Sequence, residues 1–282
     1  MGTLYIVATP IGNMGDISKR AVEVLEQSSL ILCEDTRNSG ILLNILNIKN
    51  KLVSYHKFNE ERRSEEIIDL LKKGDKIALI TDAGTPCISD PGSVIVKECI
   101  KNNIDVFSIP GPSAIITALS VSGLTISNFS FYGFLERKSS SQKEHLKMIN
   151  EGDTEIAVFY ESPKRIIDTL ENIKEVMNNP YTIVLNDLTK LHEKKYYGNT
   201  DEVILELQSN KNYELGEYVI IVSKNKKEKA AHEDISPEAI LIDTLVKEKC
   251  TLKDAIKIAS LNNKLYSKNE YYDASINLKK LF

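Results

Sequence analysis

Short apolar runs alternate with amphipathic stretches through roughly the first 120 residues. Leu4–Ala8, Leu30–Cys33, Ile77–Ile80 and Val106–Ile109 read as buried strands, with Lys51–Tyr55 as a weaker fifth. Between them, Ile17, Ala21, Val24 and Leu25 share one helical face. Ile67, Leu70 and Leu71 share another, and so do Ile95, Cys99 and Ile100. Asp16 and Ser18 are both placed to cap the first of these helices. Strands alternating with helices predict βαβ units, a largely parallel sheet and right-handed crossovers.

A boundary is expected at Ser122–Asn128. Beyond it, Phe129–Leu135, Ile156–Tyr160, Tyr181–Leu185 and Tyr218–Val222 are strand-like, with a helix from about Pro163 to Val176. This predicts a second α/β domain with a mixed sheet. The expected division is 1–123, 124–224 and 225–282. The last part begins in the basic linker Lys224–Lys229 and continues as a three-helix tail. Ser236-Pro237 supplies an N-cap with proline at the first helical position. Thr251-x-x-Asp254 and Ser267-x-x-Glu270 read as capping boxes. Leu252, Ala255, Ile256 and Ala259 form one stripe of the tail; Tyr271, Ala274, Leu278 and Leu281 form another, with a turn at Asn262-Asn263-Lys264.

Composition narrows the class. A chain of 282 residues, 42% hydrophobic and 27% charged, can bury a sizeable core without disulfides or metal, and its length suggests about two domains. It holds no run of about 18 apolar residues, which excludes a membrane-spanning helix. Leu4–Ala8, stopped by Pro10 and Gly12, is too short for a signal peptide. The four cysteines, Cys33, Cys87, Cys99 and Cys250, make no C-x-x-C pair and have no histidine at ligand spacing. A reducing cytoplasm is therefore expected, and no metal site. Net charge is −4, so a nucleic-acid partner has to be met by a local patch rather than by bulk charge. From residue 224 onward 12 Lys face 9 acids, so basic charge is shifted toward the tail.

Candidate chemistry gathers at predicted strand ends. Asp82–Gly92 follows a buried strand and precedes a helix, where ligands bind in open α/β sheets. Its two glycines permit close backbone approach, and its two prolines stiffen it. Pro110-Gly111-Pro112-Ser113-Ala114 repeats the arrangement one unit later, although Ser113 also suits a plain N-cap. Thr9–Asn13 borders the same edge. No G-x-G-x-x-G follows the first strand, and neither a P-loop nor a G-x-S-x-G elbow exists. Glu34-Asp35-Thr36-Arg37 follows the second strand and reads equally as a substrate-positioning group or as a local ion pair with an N-cap. His56, with Asn59–Arg63 after it, either extends that rim or is a structural or solvated histidine. Lys164 and Arg165 either meet phosphates or form a solvated face.

Together Leu4–Asn13, Glu34–Arg37, Asp82–Gly92, Pro110–Ala114 and Phe159–Arg165 resemble the ribosomal RNA small subunit methyltransferase I family, of the tetrapyrrole methylase superfamily. The resemblance runs from about residue 3 to 224, and the tail is similar to the family's helix-turn-helix-like C-terminal module. It implies two α/β domains with the cofactor cleft between them, and usually a cytoplasmic homodimer. The implied reaction is S-adenosylmethionine-dependent 2′-O-methylation of a cytidine in 16S rRNA of the small ribosomal subunit, in the decoding region. By the same resemblance the cofactor is expected at Ile11, Asp82, Ala83, Gly84, Thr85, Ile88, Ser113, Ala114, Tyr160, Leu188 and Gly216.

On that chemistry Asp35 is the first candidate for a base or for orienting the hydroxyl, and Arg37 for holding a nearby phosphate. No metal is required. Tyr266, Tyr271 and Tyr272 are candidates for base stacking, with Tyr271 more apt to pack inward. Two other readings stay open. One is a tetrapyrrole or diphthine methyltransferase of the same superfamily; the other is a non-catalytic RNA-binding ribosome-assembly factor.

Overall fold

Five strands, β1 (Thr3–Val7), β2 (Leu30–Cys33), β3 (Leu52–Ser54), β4 (Lys76–Leu79) and β5 (Asp105–Ile109), form an all-parallel sheet in the order β3-β2-β4-β1-β5. The structure is a computed structural model and describes residues 1–224, 236–262 and 266–280. Parallel strands must be covered on both faces. Helices α1 (Lys19–Gln27) and α2 (Thr36–Ile45) cover one face through Ala21, Leu25 and Leu43, packed against Val7, Ile31 and Ala78. On the other face, α3 (Glu60–Lys72) and α4 (Ser93–Lys101) bring Ile67, Leu71, Ile95 and Cys99 onto Leu4, Leu32, Ile77 and Leu79. Of the two candidate caps for α1, Ser18 is the one used: its hydroxyl accepts from Ala21 N at 3.1 Å. The helix after β1 and the helix after the adjacent β4 thus lie on opposite faces. That arrangement opens a crevice at the carboxyl ends of those two strands.

After α5 (Ala114–Ser120) comes a second sheet of β6 (Ser130–Phe134), β7 (Ile156–Glu161), β8 (Tyr181–Asn186), β9 (Lys194–Asn199) and β10 (Tyr218–Ser223), ordered β6-β7-β10-β8-β9. It is mixed, as expected: β6 and β7 are parallel, and the other neighbours are antiparallel. Alternation along β10 serves two cores. Tyr218, Ile220 and Val222 face α6 (Ser139–Glu151), α7 (Ile166–Met177) and α8 (Thr200–Ser209). Val219 and Ile221 face α5 and Ile11. Ile11 and α5, both supplied by segments that leave the first sheet, thereby join the two sheets through one apolar layer.

Two local expectations are corrected. Lys224 does not open a solvated linker. It closes the second sheet, buried, with Nζ donating to the Ile149 and Gly152 carbonyls at 2.7 and 2.6 Å, and burial pushes its pKa down. Ser113 stands at the N-cap position of α5, but its side chain makes no capping hydrogen bond. The sequence pattern also left β9 out, because Lys-Lys-Tyr-Tyr-Gly-Asn is an edge strand with only Tyr196 buried.

The chain packs as two compact units, Met1–Asn225 and Lys226–Phe282. The second contains α9 (Pro237–Glu248), α10 (Leu252–Asn262) and α11 (Lys268–Lys279) around Leu241, Ala255, Ala259, Tyr271 and Leu278. Ser236 caps α9 through Ala239 N, and Ser267 and Glu270 form the reciprocal box on α11. The Thr251 hydroxyl bonds both the carboxylate and the N–H of Asp254. The linker beyond Lys224, positions 263–264 of the expected turn and Leu281 lie outside the described residues.

Candidate active site

The crevice at β1 and β4 is laced by backbone. Thr9 N donates to Gly84 O at 2.9 Å and Gly84 N to Thr9 O at 3.1 Å, while the Thr9 hydroxyl donates to Thr81 O at 3.1 Å. The Thr85 hydroxyl donates to Pro112 O at 3.1 Å and so ties the Asp82–Gly92 loop to the Pro110–Ala114 turn. Gly84 takes φ +83°, which favours glycine. Cys87 and Ser89 are also left-handed, at φ 69° and 65°. Non-glycine residues held there cost roughly 1–3 kcal/mol each and collect at functional loops.

The second sheet supplies the facing wall: Tyr160 from β7, Leu188 after β8, and Gly216 before β10. Between the walls lies a cavity of about 390 Å³, a volume suited to a small-molecule ligand. Ile11, Asp82, Ala83, Gly84, Thr85, Ile88, Ser113, Ala114, Tyr160, Leu188 and Gly216 all line it. Residues from six segments far apart in the chain are thus brought to one place. Asp90, Phe134, Glu161 and Glu217 line it too and were not singled out from the sequence. The signal for Asp90 was its place in the same loop. For Glu161 it was the end of a strand, where the wall turns.

Electrostatics distinguish these groups. Burial, with the Glu34 and Asp82 charges nearby and opposed by a Thr81 hydrogen bond, pushes the Asp90 carboxyl up to about 6. Burial, with the charges of Asp90 and Glu217, pushes the Tyr160 phenol up to about 12, so it stays a hydrogen-bond donor. Glu161 is fully enclosed. Oε1 accepts from Ser162 N at 2.7 Å, Oε2 accepts from the Thr169 hydroxyl at 2.6 Å, and Arg165 lies 3.4 Å away. Arg165 also donates to the Leu135 and Glu136 carbonyls at 2.9 Å each. It pins the wall through Nη2, while Lys164 is exposed.

Asp35 and Arg37 stand outside the cavity, on its rim. Asp35 caps α2 through Arg37 N at 2.8 Å and pairs with the Arg37 guanidinium at 2.6 Å. Hydrogen bonds from the Arg37 side chain and N–H hold the Asp35 carboxyl down at about 2. The next residue, Asn38, donates to the Asp82 carboxylate at 2.8 Å and links this rim to the cleft wall. Glu34 beside it is pushed up by partial burial and by Asp82. Among the described residues no group of His, Cys, Asp or Glu is placed to hold a metal ion. All four thiols are free, and burial pushes Cys87 and Cys99 up to about 11, which makes them poor nucleophiles at neutral pH.

Residues 3–204 match the family model of the tetrapyrrole (corrin/porphyrin) methylases. A solved diphthine synthase shares the fold, with a TM-score of 0.63 at 14% identity over 79% of this chain and 90% of that one. Fold and cleft therefore define a methyltransferase of the tetrapyrrole methylase type. The ribosomal RNA small subunit methyltransferase I of Haemophilus influenzae is 43% identical over 96% of this chain and 95% of its own length. Its Thermotoga maritima namesake is 42% identical over 79% of this chain and 99% of itself. The chain belongs to the ribosomal RNA small subunit methyltransferase I family.

Methyltransferases of this family take their methyl group from S-adenosylmethionine, and the cavity fits such a molecule. The cavity combines apolar side chains at Ile11, Ile88, Leu188 and Val219 with a carboxylate at Asp82 and a Ser113 hydroxyl that makes no capping bond. Gly84 adds a stretch of bare backbone: a Cβ there would stand 3.4 Å from Ile11. No described helix is long and apolar enough to cross a membrane.

Proposed function

We propose that this chain methylates the 2′ oxygen of a cytidine ribose in 16S rRNA of the small ribosomal subunit, with S-adenosylmethionine as donor, as a cytoplasmic homodimer. The observation that carries the reading is the convergence of the eleven expected cofactor residues on one cleft, at the sheet position where α/β folds bind ligands. On this reading residues 1–123 and 124–224 supply the two walls of the cleft, and 225–282 is an added module. The cleft residues hold the donor, with Gly84 and Gly216 giving backbone access and Ile11, Ile88 and Leu188 supplying apolar contact. When bound, the donor would supply a sulfonium methyl to the ribose oxygen in line, the C–S bond breaking as the O–C bond forms and S-adenosylhomocysteine leaving as a neutral thioether.

The protein's own part is positioning and proton handling. The ribose hydroxyl has to be held at about 3–3.5 Å from the methyl carbon and in line with it. Asp35, kept ionised by Arg37, suits accepting a hydrogen bond from that ribose rather than storing its proton. Arg37 keeps an exposed edge for a phosphate. Asp90, on the cavity wall and titrating close to neutrality, is the carboxylate suited to take the proton as the hydroxyl loses it. Burial of the Tyr160 phenol leaves it a donor within the same wall.

Small-molecule methylation is the weaker reading, because the likeness to diphthine synthase rests on the fold alone. The test is transfer of labelled methyl from S-adenosylmethionine to purified small subunits, followed by alkaline hydrolysis of the rRNA. Label in an alkali-resistant dinucleotide supports the proposal. Label on a mononucleotide base, or none on the RNA, removes it.

A further inference from the structure

At the carboxyl edge of the first sheet, after β3 and separated from β4 by one strand, one turn holds an aromatic ring out in water. β3 ends at Ser54. Tyr55 is buried beneath the edge, with its N–H on Cys33 O at 2.8 Å and its hydroxyl 3.0 Å from Ser64 Oγ. The chain then turns through His56–Asn59 into α3. Asn59 pins this turn: its Oδ1 accepts from His56 N at 2.8 Å, and its Nδ2 donates to Ser54 O at 3.2 Å. Phe58 N donates to His56 Nδ1 at 3.3 Å, and Glu60 N to His56 O at 3.0 Å. At the tip stands Phe58, 95% exposed. Its ring centroid lies 6.1 Å from the His56 imidazole, tilted at 65°. Lys57 precedes it and Arg62 follows four residues later, both exposed.

A turn this well tied would form with any polar residue at its tip, so folding does not call for a phenylalanine there. The ring stands on a hydrogen-bonded turn with the exposed Lys57 next to it and Arg62 beyond the acidic Glu60 and Glu61 of the first turn of α3, and Glu34 lies in electrostatic reach of both His56 and the cleft residue Asp82. We propose that the His56–Phe58 turn is a stacking platform for an unpaired base of the RNA substrate, next to the nucleotide presented to the cleft. This rests on the function proposed above and names how its substrate is gripped. Exposed aromatics beside cations stack splayed bases and meet the adjoining phosphates. A protein partner would call for a broader apolar patch than one ring. The Thermotoga maritima relative leaves about a fifth of this chain without a counterpart, roughly the size of the C-terminal unit. RNA contacts on the cleft-bearing unit are then to be expected.

The chain contains no tryptophan, so Phe58→Trp installs a single indole reporter. Titrating that full-length variant with purified small subunits is expected to quench its emission, as stacking does. Phe58→Ala should raise KM for subunits roughly tenfold, leaving kcat, donor affinity and melting temperature unchanged, and Phe58→Trp should restore KM. An unquenched indole at saturating subunits, or a wild-type KM in Phe58→Ala, overturns the platform. Quenching without methyl transfer by the wild type would keep the platform and remove the function. Transfer without quenching would do the reverse.

Discussion

Replacing Asp90 by Asn removes a charge that the fold holds at a cost. The carboxyl moves from 3.8 to about 6 on folding, chiefly by burial and then by the charges of Glu34 and Asp82. Each pKa unit is worth about 1.4 kcal/mol, which sets a ceiling of about 3 kcal/mol. The group is only half-buried, so screening reduces this to about 1–2 kcal/mol. Because the folded pKa is the higher one, Asp90 does not burden the fold below about pH 4. The penalty grows between about pH 4 and 6 and is complete above about pH 7. Asp90→Asn should therefore match the wild type near pH 4 and be more stable by about 1–2 kcal/mol at pH 8, about 3–6 °C in melting temperature for a unit of this size. Thermal unfolding scanned from pH 4 to 8 measures this. The same variant should methylate more slowly, a stability gained at the expense of activity. A pH-independent shift, or a variant less stable at pH 8, would refute the reasoning.

Three further outcomes follow from the same structure. Glu161→Ala leaves the Arg165 guanidinium without its enclosed partner and should cost about 3–5 kcal/mol in urea unfolding, with Glu161→Gln costing less. Asp35→Asn keeps a competent N-cap on α2, so its melting temperature should hold while single-turnover methylation falls; undiminished methylation would strip Asp35 of its proposed role. Ending the chain after Lys224 should spare S-adenosylmethionine binding, because every cavity residue precedes that point, and should weaken but not abolish binding to small subunits in a filter assay.

Much of this architecture is legible in the residue pattern because burial on both faces of a parallel sheet demands unbroken apolar runs. Leu30–Cys33 and Ile77–Ile80 announce themselves this way. The cleft loops are legible for a related reason: left-handed and close-approach backbone needs glycine, and Gly84 and Gly92 mark it. What the pattern hid was decided by tertiary contact. The edge strand β9 buries only Tyr196, so its alternation is faint. Arg165 reads as a phosphate contact or a solvated face, and nothing in the residue pattern signals that its Nη2 turns back onto the Leu135 and Glu136 carbonyls and Glu161. Lys224 reads as linker until two carbonyls enclose its amine. Asp90 acquires its raised pKa chiefly from burial in the folded cleft, then from the charges of Glu34 after β2 and Asp82 in its own loop.

The most direct measurement is calorimetric titration of S-adenosylmethionine into the wild type and into Ala114→Leu, a variant that fills the cavity wall at the start of α5. The account predicts one saturable site in the wild type, and its loss in the variant at an unchanged melting temperature. Equal heats from both proteins, or none from the wild type, would contradict it.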